Sequence, residues 1–318
     1  MEIIKGLDKL KEPLSNPVIT LGNFDGVHLG HQRIFQKVNE EARKLGGESV
    51  VITFEPHPMK VLHPDRCPPL LTPFRQKMMY IEKTGIDRVL CIEFTTAFAE
   101  ISPYEFIRSV LVDRVHTRKI VVGYNYHFGK GKSGDVRSLK DTCKQFGVEV
   151  EVMEAMRVDQ TPVSSSTIRT LIKEGQVDLA SRLLGRDYLI IGKVVEGAKR
   201  GRGLGFPTAN VAITEELYPK IGVYAVEVLW NTQTFRGVAN VGVNPTFAKD
   251  HRGARNPISF EIFILDFDQQ IYGEEIQVSF KKRVRDEIRF TSPALLVEQM
   301  KHDVEWARQN VFRPDPPA

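Results

Sequence analysis

The sequence predicts a doubly wound parallel α/β domain up to residue 184, then a small antiparallel β-barrel domain from 185 to 318 closed by a C-terminal helix. Three observations carry this. Up to about Leu184, apolar β-prone runs alternate with amphipathic helical patterns. After Gly185-Arg186-Asp187, short strands follow one another without helices between them. The length of 318 residues suits about two domains, each burying its own core.

In the first half the strand runs are Val18-Ile19-Thr20-Leu21, Val50 to Phe54, Val89 to Ile92, Ile120 to Val122 and Val148 to Val150. The helix after the first run places Ile34, Val38, Ala42 and Leu45 on one face. Thr72-Pro73 offers an N-cap and a proline at N1, Gly85 a C-terminal stop, and Ser102-Pro103-Tyr104-Glu105 a capping box ahead of Phe106, Val110 and Leu111. In the second half the strands are Leu189–Val195, Val223–Trp230, Phe235–Val241, Ser259–Leu265 and Glu275–Lys281. Strict alternation puts Tyr224, Val226, Val228 and Trp230 on one face. The last helix is capped at Ser292-Pro293 and carries Leu296, Met300 and Val304, and the tail Arg313 to Ala318 is expected to fray.

Composition narrows the function classes. Apolar content of 42% and charged content of 26% are those of an ordinary soluble protein. A balance of +4 is too weak to imply bulk nucleic-acid binding. Cys67, Cys91 and Cys143 form no C-x-x-C pair, which suits reduced thiols in a cytoplasmic protein. Met1 to Leu14 lacks an apolar signal core, and no run approaches the length of a bilayer span, so neither membrane nor nucleic acid is an expected partner. Nothing in the sequence fixes an oligomeric state.

The most informative stretch is Gly22-Asn23-Phe24-Asp25-Gly26-Val27-His28-Leu29-Gly30-His31-Gln32. A strand, a glycine-rich turn and a helix N-terminus make an anion site, because backbone N–H groups and the positive helix end converge there. His28 and His31 lie three apart and can face one anion, and Gly30 removes a side chain where a ligand approaches. His-x-Gly-His is expected by chance roughly once in 70 chains of this composition. The reading is nucleotidyl transfer without a covalent enzyme intermediate, the histidines stabilising charge on phosphoryl oxygens. A surface histidine pair at a turn is the bland alternative.

Gly129 to Gly134 matches G-x-G-x-x-G and ends like a Walker A loop. Both matches fail on context, and a mobile basic loop near triphosphate, with Asn125 and Phe128 at its base, is the better reading. Ser164-Ser165-Ser166-Thr167-Ile168-Arg169 opens a helix with more hydroxyls than capping needs and suggests a triphosphate clamp. Lys199-Arg200-Gly201-Arg202-Gly203 resembles an RNA tract in composition, but a short glycine loop with cations suits a nucleotide's phosphates better. Thr208 and Asn210 alternate on an extended segment and offer two neutral oxygens to Mg²⁺. Glu261, opposite Phe260 and Ile262 on its strand, is either a solvated carboxylate or a general base for a hydroxyl nucleophile.

Together these motifs resemble the bacterial bifunctional riboflavin kinase/FAD synthetase family over nearly the whole chain. The matches are GNFDGVHLGHQ (22–32), FEPHP (54–58), VGYNYHFG (122–129), the SSSTIR helix start (164–169), GFPTAN (205–210) and ILDFDQQIYG (264–273). The resemblance implies an FMN adenylyltransferase of nucleotidyltransferase fold in residues 1–184 and a riboflavin kinase with a six-stranded barrel in 185–318. It implies His28, His31 and Arg169 as catalytic groups of adenylylation. Gly22, Phe24, Asp25, Gly30, His57, Asn125, Phe128, Ser164 and Ser165 are the implied contacts to ATP and FMN. In the kinase it implies Glu261 as base and Thr208 and Asn210 at Mg²⁺. Lys199, Gly201, Arg202, Gly205, Pro207, Arg285 and Glu287 are the implied contacts to ATP or flavin. One departure is visible. The family's Ser-Ser-Thr-x-Ile-Arg reads here with Ser166 in the Thr place, or with the Thr slipped to 167. The implied chemistry is riboflavin to FMN and FMN to FAD, each with ATP, the second releasing pyrophosphate. The rivals are an adenylyltransferase with a nicotinate- or pantetheine-type acceptor, which has no use for a kinase barrel, and a non-enzymatic flavin- or RNA-binding regulator, which has no use for phosphoryl-transfer groups.

Overall fold

The computed structural model describes residues 1–197, 206–213, 217–243 and 258–312. Contacts divide the chain into two compact units, Met1–Ser165 and Ser166–Ala318.

The first unit is built on a six-stranded, all-parallel sheet. Its strands are β1 (Glu2–Lys5), β2 (Val18–Leu21), β3 (Ser49–Glu55), β4 (Arg88–Glu93), β5 (Lys119–Gly123) and β6 (Glu149–Met153), in the order β1-β4-β3-β2-β5-β6. The runs that form β2 to β5 are buried on both faces, as a parallel sheet requires, with β2 and the first five residues of β3 fully buried, whereas β6 at the sheet edge has no buried residue. β1 was not legible, because Glu2-Ile3-Ile4-Lys5 is a four-residue edge strand with one buried side chain. The helices are α1 (Leu29–Lys44), α2 (Pro58–Leu62), α3 (Phe74–Glu82), α4 (Thr96–Ala99), α5 (Pro103–Glu105) and α6 (Val136–Gln145), with a π-turn at Phe106–Val112 continuing α5. The chain passes from β2 outward through β3 to β4, then returns to β5 on the other side of β2. The strand order therefore reverses at β2, and ligands of such sheets bind at the carboxyl ends there.

Local expectations are met in part. Ser102 and Glu105 form the capping box. Ile34, Val38 and Ala42 are buried, but Leu45 is the C-cap of α1 and is 46% exposed. Pro73, not Thr72, occupies the cap position of α3, because Thr72 is committed elsewhere, as described below. A two-residue hairpin, β7 (Arg157–Val158) and β8 (Thr161–Pro162), precedes α7 (Ser165–Lys173).

The second unit contains most of α7, all of α8 (Val177–Leu184), and a closed six-stranded barrel. The barrel strands are β9 (Tyr188–Val195), β10 (Thr208–Ile213), β11 (Gly222–Trp230), β12 (Gln233–Val243), β13 (Ile258–Ile264) and β14 (Glu275–Arg285). They run β10-β13-β12-β11-β14-β9, and β9 closes the circuit by pairing antiparallel with both β10 and β14. Tyr224, Val226, Val228, Phe260, Ile262, Ile276, Val278 and Phe280 fill the interior. Trp230, expected with them, is half-buried at the strand end with its ring edge-on to Phe267. Helix α9 (Pro293–Asn310) caps at Ser292 as expected. Its fully buried residues are Asp303 and Ala307, while Leu296, Met300 and Val304 are half-buried. Within this unit the barrel also contacts α7 and the turn after it. Gly175, between α7 and α8, lies against Arg283 and Tyr224 so closely that a Cβ there would come within 2.6 Å of Arg283. Lys220 N–H also donates to Ile172 C=O (3.2 Å).

At the amino end of the parallel sheet, Lys119 is 6% exposed, and its Nζ sits 2.8 Å from Glu41, 2.9 Å from Glu149 and 3.0 Å from Glu151. Burial opposes the charge, but these three carboxylates outweigh it and hold the ammonium above its usual range. Glu41 in turn is held at about 2 by hydrogen bonds from Lys119, Lys44 and Lys37. A depressed carboxylate stabilises the fold above its unfolded value of 4.5 and loses that contribution as pH falls toward 2. Glu41→Gln is expected to cost roughly 1–3 kcal/mol at neutral pH, the scale of hydrogen bonds to charged groups. It should also flatten the loss of stability between pH 4.5 and 2, as urea melts at pH 7 and pH 3 would read.

Candidate active sites

The turn between β2 and α1 is wound tightly. Phe24, Gly26 and Val27 have φ of 50°, 88° and 41°, and Val27 is a β-branched residue in a region that such residues avoid. Neighbouring segments hold it there. The Asp25 carboxylate accepts the N–H groups of Leu71 (3.0 and 3.1 Å) and Thr72 (3.1 Å), and the Thr72 hydroxyl accepts from Gly26 N–H (3.1 Å). This use of Thr72 is why it does not cap α3. The Ser165 hydroxyl donates to Asp25 C=O (2.9 Å), and the Gln32 amide donates to Val27 C=O (2.8 Å).

His28 is the N-cap of α1 and its Nδ1 accepts from His31 N–H (3.3 Å). The two imidazoles stack with centroids 3.5 Å apart and planes at 18°. Phe24 is buried and meets the His31 ring edge-on at 5.2 Å. Its ring therefore supports His31 from beneath instead of facing a ligand. Gly30 has a close neighbour of its own, because a Cβ there would stand 3.3 Å from the His28 ring.

His57 follows β3 and caps α2, its Nδ1 accepting from Met59 N–H (3.1 Å) and its Nε2 lying 3.2 Å from the Asn23 amide. Asn125 is exposed at the carboxyl end of β5, the strand beside β2. Gly22, His57 and Asn125 thus stand at the ends of three adjacent strands. Phe128 is different. It is 7% exposed, part of the apolar core, and packs on Tyr126 and Phe106. The Gly129–Gly134 stretch is also more closed than expected. Phe128 and Gly134 exchange two 3.0 Å backbone bonds, and Lys130 Nζ pairs with Glu100 at 2.6 Å. Of the hydroxyl cluster, Ser165 is tied to the turn, Ser164 precedes α7, and Arg169 lies one turn further along that helix.

Two residues that sequence reasoning passed over belong to this network. Lys77 Nζ donates to Asn23 C=O (3.3 Å) and to the Thr53 hydroxyl (3.2 Å). A signal existed: Lys77 occupies the apolar stripe of α3 defined by Phe74, Met78 and Ile81.

On the barrel, Glu261 of β13 stands directly between Asn210 of β10 and Asn240 of β12. Directly opposed residues share a face, and Thr208 joins them two positions along. The Thr208 hydroxyl donates to Glu261 (3.4 Å). The interior face belongs to Phe260, Ile262 and Ile264, so this polar row lies on the outer face. Gly197 permits it, since a Cβ there would overlap the Asn210 amide at 2.1 Å. The Glu287 carboxylate lies over Gly242, where a Cβ would also approach Asn240 and Ser259. Asn240 was not singled out from sequence, because a polar residue in an alternating strand reads as solvated. Pro207 immediately precedes β10. Arg285 is committed to structure instead: its fork binds Asp303 of α9 through Nε (2.8 Å) and Nη2 (2.7 Å). Lys199, Gly201, Arg202 and Gly205 lie outside the described residues.

Thr208 and Asn210 supply neutral oxygens beside the Glu261 carboxylate, a donor set that suits a hard divalent cation sharing phosphate oxygens and water. Among the described residues, no group of three or more His, Cys, Asp or Glu side chains is placed to hold a metal ion without substrate.

Comparisons with known proteins agree with this two-part arrangement. A family model described as FAD synthetase matches residues 10–167, and one described as riboflavin kinase matches residues 184–311. A bifunctional riboflavin kinase/FMN adenylyltransferase of Escherichia coli K12 is 37% identical over 311 residues, 97% of each chain. One from Listeria monocytogenes is 38% identical over 296 residues, 92% of each chain. A crystal structure from Streptococcus pneumoniae, described as a macrolide-efflux protein, superposes with a TM-score of 0.87 at 34% identity over 97% of this chain and 99% of that one. With both family models matched in order and relatives aligned nearly end to end, the chain belongs to the bifunctional riboflavin kinase/FMN adenylyltransferase family.

Proposed function

We propose that the two reactions of flavin nucleotide synthesis are divided between the strained turn after β2 and the outer polar row of the barrel. The enzyme phosphorylates riboflavin to FMN and adenylylates FMN to FAD, using ATP in each step. The observation that carries the division is the stacked pair His28 and His31 at the N-terminus of α1, set where the strand order reverses.

In adenylylation the FMN phosphate attacks the α-phosphorus of ATP, and pyrophosphate leaves. Negative charge grows on the oxygens around that phosphorus. His28, His31 and the positive N-terminal end of α1 face it, and no proton need leave a nucleophile that is already an anion. Ser164, just before α7, is assigned to the triphosphate, and Asn125 and His57 to the rim of the same site; the assignment of Arg169 to adenylylation rests on its sequence motif alone. Asp25 and Phe24 act by holding the turn, since carboxylate and ring are both engaged within the protein.

In the kinase step a neutral ribityl hydroxyl must lose a proton as it attacks the γ-phosphorus. Glu261 is the base, oriented by Asn210 and Asn240 on either side and by Thr208. Thr208 and Asn210 would hold Mg²⁺, which supplies charge neutralisation on the phosphates when bound. Glu287 is assigned to the flavin or ATP contacts beside Asn240. No described helix is long and apolar enough to cross a membrane, and small molecules are the partners these sites suit.

Three outcomes test this. His28→Ala with His31→Ala should abolish FAD formation and spare FMN formation, so that FMN accumulates. One lost donor to a developing phosphoryl charge costs ~10²–10³ in rate, and near-normal FAD output would remove the histidines from the mechanism. Glu261→Gln is nearly isosteric. It should lower riboflavin phosphorylation by ~10²–10⁴ while FAD formation from supplied FMN continues unchanged, and an active kinase would leave Glu261 a solvated strand residue. The domain division is tested by fragments. Residues 185–318 are expected to make FMN but no FAD. Because Gly175 and Ile172 contact the barrel within the second unit, residues 166–318 should do the same with a higher melting temperature. Equal melting temperatures would put the functional boundary at 184/185.

A further inference from the structure

Two lysines are buried in the first unit, and they are treated in opposite ways. Lys119, at the amino end of the sheet, is matched by Glu41, Glu149 and Glu151. Lys77, near the carboxyl end, is equally buried at 6% exposure and forms no ion pair with any described carboxylate. Its ammonium donates to a backbone carbonyl and a hydroxyl, Asn23 C=O and Thr53 Oγ1, and lies 5.7 Å from the Phe74 ring. Neutral acceptors do not return the cost of burying a charge. Lys77 is therefore expensive to keep, yet it stands directly beneath the second residue of the phosphate turn.

We propose that Lys77 is a positioning residue for adenylyl transfer: its buried ammonium clamps the Asn23 carbonyl under the turn and leaves a positive charge whose counter-ion is the substrate polyphosphate. The inference rests on the reading of that turn as the adenylylation site. Two geometric facts support it. Asn23 is gripped from both sides, its carbonyl by Lys77 and Thr53 and its amide by His57. The clamp turns the Asn23 carbonyl dipole inward, away from an incoming anion. The other ionisable groups acting on Lys77 are Glu55, Cys91 and Asp25, and Lys5 shares the Phe74 ring. Asp25 already accepts N–H groups from Leu71 and Thr72, and Glu55 is exposed to solvent. Burial pushes the Lys77 ammonium down from its usual range, with Glu55 first among the groups that oppose the shift.

The sign of the stability effect separates this role from a structural one. With its folded value depressed, Lys77 costs stability wherever it is charged, and the cost fades as pH rises through that value. Lys77→Met keeps the apolar stem and deletes the charge. The variant should melt at the same temperature as the parent chain or higher. Its kcat/KM for ATP in FMN adenylylation should fall at least about tenfold, the scale of one charge interaction lost in a low-dielectric interior. Riboflavin phosphorylation by the same chain should not change. The alkaline decline of adenylylation in the parent chain, where Lys77 deprotonates, should be missing from the variant. A variant that melts lower or fails to fold, that makes FAD at the parent rate, or that keeps the alkaline decline overturns the proposal. If His28→Ala with His31→Ala makes FAD normally, the reading of the turn fails and the proposal with it. If the histidine variant is inactive and Lys77→Met is fully active, only the proposal fails.

Discussion

Three of the four residues from Phe24 to Val27 have positive φ, and only one of the three is glycine. Such backbone persists only where its surroundings over-determine it. The loop at Leu71–Thr72 binds it through Asp25 and Gly26, Ser165 through the Asp25 carbonyl, Gln32 through the Val27 carbonyl, and Lys77 and Thr53 through the Asn23 carbonyl. The conformation delivers His28 to the N-cap of α1 with its ring stacked on His31. If the turn relaxed, the helix would start elsewhere, and the donors of its first turn would no longer converge on one point. The buried polar groups of Asp25, Thr72 and Lys77 serve to hold the shape of this turn.

The two ends of the parallel sheet show how stability and function are separated within one core. At the amino end the buried charges of Lys119 and Glu41 both have partners, which is the arrangement that survives when stability alone is at stake. At the carboxyl end a buried ammonium is left with neutral acceptors, and a valine is left in a strained conformation. Both features cost folding free energy, and both lie at the turn between β2 and α1. A well-compensated amino end gives the domain the margin to carry an under-compensated carboxyl end.

Much of this was legible because the signals were local. A parallel strand buried on both faces must be apolar throughout, so β2 to β5 announced themselves, and the histidine turn was visible from residue type and spacing. What was missed depends on distant partners. Thr72 reads as a cap until Asp25 and Gly26, far away in sequence, claim it. Phe128 sits in a motif but packs into the core, because Phe106 and Tyr126 present rings to it. The resemblance implies Arg285 as a contact to ATP or flavin, but Asp303 closes on it from α9, and Asp303 is buried on a helix whose sequence pattern offers Leu296, Met300 and Val304. β10 was read only as an extended segment, since Thr208-Ala209-Asn210 lacks an alternating apolar face and becomes a strand by pairing with β9 and β13. Lys77 was the hardest, because a lysine on a helix is by default a solvated residue.

The barrel carries its own constraint on where chemistry can occur. A closed six-stranded barrel is too narrow for a ligand once Tyr224, Phe260 and Phe280 pack in its interior. Substrate has to bind outside the wall, where a strand residue is ordinarily solvated and poorly fixed. Here the ladder supplies the rigidity. Glu261 is flanked on both sides by strand partners whose asparagines occupy the same face, and Thr208 hydrogen-bonds its carboxylate. A lysine or arginine in either asparagine position would instead form an ion pair with this carboxylate and draw it out of the row. Asn210 and Asn240 therefore matter for their neutrality as well as for their place in the ladder: on the outer face of the barrel they flank Glu261 on both sides without pairing with its charge.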